Sequence, residues 1–250
     1  MTRDPRTFPH VDGASPPVTL SSIPTCPAAV MGRRCQALGF DCLGGDGEAA
    51  CINRWEWLEA LWTPDHVARG LAERADRSEL TIDDAAPELV GAVAELLGQL
   101  AVGALLSPNQ ALDMSDGRVA VGFGECGRAL RAHVEEARLV ALPEDPVSLR
   151  DGVELVDTHR QLLTRQANDL LEALAPLVRV AAEASSPSTT SLWSEVDAAL
   201  QRAAGRVGQR LHAPERAAGC AYELAVLATP PLPPCLGSHR TSTASTGPGH

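Results

Sequence analysis

Four cysteines, Cys26, Cys35, Cys42 and Cys51, are separated by eight, six and eight residues in CPAAVMGRRCQALGFDCLGGDGEAAC. Four thiolates suffice for one zinc ion or one iron–sulfur cluster. The stretch has no CxxC pair, which most such sites contain, so unliganded, partly buried thiols are the competing reading. Cys126, in GFGECGRAL, follows an apolar run and would need a basic partner to act as a nucleophile. The same segment holds a GxG but neither a full GxGxxG fingerprint nor the acidic residue that should follow it. His66, His133, His159 and His212 stand apart, with no HExxH or similar pair. Asp83-Asp84 and Glu135-Glu136 read as solvated charges at helix ends rather than as an acid and a base.

Composition removes several classes. All 21 basic residues are arginine, so lysine-dependent Schiff-base, P-loop and kinase chemistry is excluded. Arginine-only, alanine-rich usage is what a GC-rich bacterial genome produces. A net charge of −11 opposes non-specific association with nucleic acid or an anionic membrane. The beginning of the chain carries no apolar run of signal-peptide length, which implies a cytoplasmic protein and a reducing compartment. Aromatic residues are 3% of the 250, so Ala, Leu and Val must fill the core, and that favours helices.

The elements that would position any site follow from periodicity. Residues 1–50 are rich in Pro, Gly and small polar residues and read as a flexible leader; 231–250 read as a disordered tail. Between them, 54–230 form one mainly helical domain with a small β element, an α+β arrangement with a sub-boundary expected at 143–152. Trp55, Leu58 and Trp62 fit one side of a helix, and Thr63-Pro64 starts a second, with Thr63 as N-cap. LVGAVAELLGQLAVGALL, 89–106, has the length of a minimal membrane span, but Glu95 and Gln99 on one face and three glycines make it a core helix. Residues 118–123, RVAVGF, read as a strand, with 137–142, ARLVAL, as its partner in a hairpin or strand pair near 117–142. Helical spacing resumes at Val153, with a kink or break expected near Leu174 because Pro176 follows. Further helices are expected over 191–211 and 215–228.

Three stretches carry a resemblance: LGQLAVGALLSP followed by DGRVAVGF; ARLVALPEDPVSLRDGVELVD leading to LLEALAPLVRVAAEAS; and TTSLWSEVDAALQRAAGRVGQRL followed by ELAVLATPPL. In order and spacing they resemble the FhuF-like ferric-siderophore reductase family, itself related to the C-terminal part of IucA/IucC-type siderophore synthetases. The resemblance spans 54–232, and its most specific pieces are LAPLV (174–178) and Leu192-Trp193. It implies a protein of iron–siderophore metabolism that binds a ferric siderophore and reduces it, since ferrous iron leaves hard oxygen donors more readily.

The family's electron carrier is a [2Fe-2S] cluster held by adjacent cysteines and a CxxC pair near the C-terminus. That motif is absent here: Cys220 and Cys235 are too few ligands, so no bound cofactor is expected. Glu195 also stands where the family tends to have Asn. On this reading the anionic chelate is met between the 89–106 helix, the RVAVGF strand and the Trp193 helix. Arg118, Arg128 and Arg131 are the candidate contacts, because guanidinium pairs well with carboxylate and hydroxamate oxygens. Trp193 completes the candidate ligand-binding set, although anchoring its own helix in the core is the favoured reading of it. The partner is then a ferric siderophore and not nucleic acid. A helical interaction protein without an iron role, and a thiol enzyme using Cys126, are the alternatives.

Overall fold

The computed structural model describes residues 52–106, 109–114, 119–124, 129–134 and 138–228. Among them the chain runs β1 (Ile52–Trp57), α1 (Pro64–Ser78), α2 (Ile82–Leu106), β2 (Ala111–Asp113), β3 (Val119–Gly124), β4 (Ala129–Val134), β5 (Arg138–Ala141), β6 (Glu154–Leu155), α3 (His159–Ala184), α4 (Thr189–Leu211) and α5 (Pro214–Ala228). Two 3-10 turns, Leu58–Trp62 and Pro146–Leu149, complete the path. The result is mainly helical with a small β component, as composition and periodicity require. The expected leader and tail lie outside the described residues.

Helix α2 is the centre of the fold because it is the most apolar segment and every neighbour covers it. Of its most apolar window, 83% is buried by the protein's own elements, so little of that surface is left to face lipid. It packs against α1, α3, α4, α5 and β4. Its closest partner is α4, and two glycines set that distance. A Cβ on Gly98 would lie 2.8 Å from Leu200 Cδ2 and 3.0 Å from Ala203 Cβ, while one on Gly91 would lie 2.5 Å from Glu195 Oε1. Small residues one helical face apart let two backbones approach and bury Leu200, Ala203 and Val207 between them.

Both sheets are three-stranded, with orders β1-β3-β4 and β2-β5-β6. The expected pairing of 118–123 with 137–142 is therefore corrected. β3 pairs antiparallel with β4, Val121 opposite Ala132, and with β1, Trp57 opposite Ala120. β5 lies at the middle of the other sheet, antiparallel to β2 and parallel to β6. The glycine-containing link after β3 favours the adjacent strand as hairpin partner, which leaves β5 free to pair elsewhere.

The first segment is also corrected. Trp55 lies on a strand, and Leu58 and Leu61 are buried by a 3-10 turn, whose three-residue period matches their spacing as well as an α-helix does. A short helix-like pattern lost to the backbone pairing that β3 offered. Thr63 does precede α1, with Pro64 in the first turn, but its hydroxyl donates to the Ala60 carbonyl at 3.0 Å rather than capping the helix.

Helix α3 starts later than the apolar spacing suggests. Glu154 and Leu155 pair with Val140 and Ala141, and the helix begins at His159 behind a capping box. Thr158 Oγ1 accepts from the Gln161 amide at 3.2 Å, and Gln161 Oε1 accepts from the Thr158 amide at 3.0 Å. Nor does Pro176 break α3, which continues to Ala184. Proline leaves the Glu172 carbonyl without its usual donor, and the next carbonyl, of Ala173, accepts from Trp62 Nε1 at 2.9 Å. Leu174 and Leu177 are both buried, so packing on either side of the proline holds the helix together. One hydrophobic cluster runs from Leu58 to Ala225 and crosses the 143–152 segment.

Candidate functional site

The seam between α2 and α4 is where the resemblance directs attention. Arg202 Nε donates to Glu95 Oε2 at 3.0 Å, and its other arm reaches Glu195 Oε1 at 2.7 Å. Arg206 Nε stands 2.9 Å from Glu95 Oε1. Glu195, Arg202 and Arg206 share one face of α4, seven and four residues apart, and Glu95 meets them from α2. The carboxylate of Glu95 is 12% exposed whereas the two arginines are nearly half exposed, so the acid is fixed and the guanidinium edges remain in solvent. Burial alone would weaken the hold of Arg202 on its proton. The hydrogen bonds and charges of Glu195 and Glu95 outweigh it, and the net shift is upward. Arg202 therefore stays cationic at any physiological pH.

Gln99 lies one turn beyond Glu95 on α2. It is 2% exposed, and both its amide oxygen and its amide nitrogen are buried without a hydrogen-bond partner. A buried amide with neither donor nor acceptor satisfied costs a few kcal/mol, so its retention calls for water or another polar group. Trp193 is half-buried and packs against the core, consistent with an anchor for α4 two residues before Glu195.

The remaining residues singled out from the sequence fall as follows. Arg131 lies on β4 opposite Gly122 of β3. Arg118, Arg128, Cys126, Cys235 and the cysteines at 26, 35, 42 and 51 lie outside the described residues. Arg202 and Arg206 were missed, although their separation from Glu195 by seven and eleven residues marks a single helical face.

The described residues do not suit the implied iron–sulfur cluster. Cys220 is the single cysteine among them. Burial, then the charge of Glu223, pushes its thiol up to about 12 despite Arg216, so it stays protonated and is a poor ligand. Among the described residues no group of three or more His, Cys, Asp or Glu side chains is placed to hold a metal ion.

One further close pair, His66 Nε2 and Glu56 Oε2 at 2.6 Å, ties α1 to β1. Arg74 is 5% exposed and meets Glu88 through both Nε and Nη2, tying α1 to α2. Both are bridges between elements. No family model, curated protein or solved structure matches the chain.

Proposed function

We propose that the chain is a ferric-siderophore-binding protein of a bacterial cytoplasm, similar to the FhuF-like reductases but without a cluster of their kind. The observation that carries this reading is the pair of half-exposed arginines, Arg202 and Arg206, on the helix that bears Leu192-Trp193. A ferric chelate built from carboxylate or hydroxamate donors presents hard, negatively polarised oxygens. A planar guanidinium fork meets such oxygens with two parallel hydrogen bonds. Glu95 and Glu195 hold those forks now; an incoming anion would displace the more exposed Glu195 at modest cost, whereas the 12%-exposed Glu95 keeps its pairs. Binding is the activity proposed. Reduction would need an electron that no described residue is equipped to carry.

Tryptophan fluorescence of the full chain tests the reading, with ferric dicitrate and ferrioxamine as probes and the iron-free chelators as controls. Saturable quenching by the ferric form is expected, with affinity reduced roughly 10- to 100-fold in an Arg202→Ala/Arg206→Ala variant. Equal quenching with and without iron, or an affinity indifferent to both arginines, overturns it. The alternative of a helical interaction protein rests on α5, where Tyr222 and Val226 are 65% and 59% exposed one turn apart. A chain that binds no ferric probe and self-associates through Tyr222 would favour that reading.

A further inference from the structure

Helix α3 holds a carboxyl group that the siderophore reading does not use. Asp169 on α3 is 4% exposed, and its Oδ2 is buried without a hydrogen-bond partner. Its nearest cation is Arg165, one turn earlier, whose Nε stands 3.5 Å from Oδ1 and makes no hydrogen bond of proper geometry. The same guanidinium is stretched towards Glu154 of β6, at 3.7 Å. The charged groups acting on Asp169 are Arg165 and Glu172 on its own helix, Asp113 on β2 and Glu154 on β6. Three acids therefore act on a fourth that is buried, and the one guanidinium beside it is shared with Glu154.

An ionised carboxylate in that position has little solvent and no donor at Oδ2, and the elementary remedy is a proton. Burial, followed by the charges of Asp113, Glu172 and Glu154 and partly offset by Arg165, raises its pKa to about 7.

The mechanical setting gives the proton something to move. The residue three before Asp169, Gln166, clamps β2 to α3: its Oε1 accepts from the Leu112 amide at 2.8 Å and its Nε2 donates to the Leu112 carbonyl at 3.1 Å. β6, by contrast, is held by two register pairs to β5 and by the Val156 amide on the Ala141 carbonyl at 3.0 Å. Between β6 and the first turns of α3 runs an open groove of about 350 Å³, lined by Glu154, Val156, Thr158, Arg160, Thr164 and Arg165. Glu154 and Arg165 thus belong both to the groove wall and to the surroundings of Asp169.

We propose that Asp169 is a proton-operated latch: neutral, it leaves Arg165 to Glu154 and so holds β6 across the groove from α3, and ionised, it competes with Glu154 for Arg165 and releases β6 so that the groove widens. The sign follows from linkage. A carboxyl that holds its proton more tightly folded than unfolded contributes stability fully present in acid, and that contribution is lost as pH rises through the folded value. The latch is fully closed in acid, loosens as pH rises towards neutrality, and is released above it. It involves none of the residues proposed for siderophore binding.

The test is amide hydrogen exchange on the full chain at pH values from about 5.5 to 8.5, expressed as protection relative to the intrinsic rate at each pH. Protection of the 154–156 amides is expected to fall about tenfold or more across that range in the native protein and to stay level in Asp169→Asn, while the Leu112 amide under Gln166 changes little in either. Carbon-13 titration of the Asp169 carboxyl in the unaltered protein provides a reading that does not depend on the variant's folding. Ionisation in the ordinary aspartate range near pH 4 overturns the latch. So does loss of protection with the same pH dependence in Asp169→Asn.

Discussion

The α2–α4 seam and the junction of α3 with the second sheet each bury one glutamine, and the two are treated in opposite ways. Gln99 in the first has no partner for either end of its amide, whereas Gln166 in the second holds both backbone groups of Leu112. The charges are reversed in the same sense. Glu95 at the seam is met by two arginines, while Asp169 at the junction has one, 3.5 Å away, and feels the charges of three acids. Each region thus fixes its geometry with one paired polar group, although Glu95 Oε1 makes only an ion pair with Arg206 and no hydrogen bond, and leaves another polar group unsatisfied. The satisfied groups hold elements in position. The unsatisfied ones are where a solvent molecule, ligand or proton has most to offer, because the protein itself does not supply the missing interaction.

Three substitutions break or sharpen that contrast. The largest effect is expected from Gln166→Leu, which strands the buried amide and carbonyl of Leu112. A loss of about 2–4 kcal/mol in urea denaturation is expected, with β2 amides losing exchange protection first. Arg202→Ala should cost about 1 kcal/mol, since the pairs it breaks are partly exposed, and the difference should shrink in molar salt. Gln99→Leu should be neutral or stabilising by up to about 1 kcal/mol, because it removes two unsatisfied groups and leaves an apolar side chain of similar size. A clear loss of stability there would mean that Gln99 has a polar partner, and the contrast between the two glutamines would fail.

Much of the helical frame was legible because long amphipathic segments repeat one signal many times. The helices at 191–211 and 215–228 appear within a residue or two of where spacing and Pro214 place them. The core character of 89–106 was legible from Glu95, Gln99 and the glycines. Strand pairing was not. Nothing local in ARLVAL distinguishes RVAVGF as a partner from Ala111–Asp113, and that choice is made by which edge is open once the first hairpin has formed. The helix-like reading of Trp55–Trp62 failed for a related reason: over so few residues a three-residue spacing is shared by an α-helix and a 3-10 turn.

The arginines show the same division at the level of the candidate site. Arg118, Arg128 and Arg131 stood out for their place at or near the RVAVGF strand, whereas nothing in the local sequence singled out Arg202 and Arg206 on one face of their amphipathic helix. Only the approach of α2, allowed by Gly91 and Gly98, turns that face into a rim shared with Glu95.

By itself the sequence determined that this chain is mainly helical, lacks lysine chemistry, and has too few cysteines after residue 219 for a four-thiolate cluster there. Those follow from local periodicity and from counting, which need no knowledge of distant neighbours. The tertiary structure alone decided that Pro176 is absorbed within a helix, that β5 joins the second sheet, and that Asp169 is buried among acids. Each depends on what lies across a contact many residues away, where packing and desolvation outweigh the preferences of a short segment.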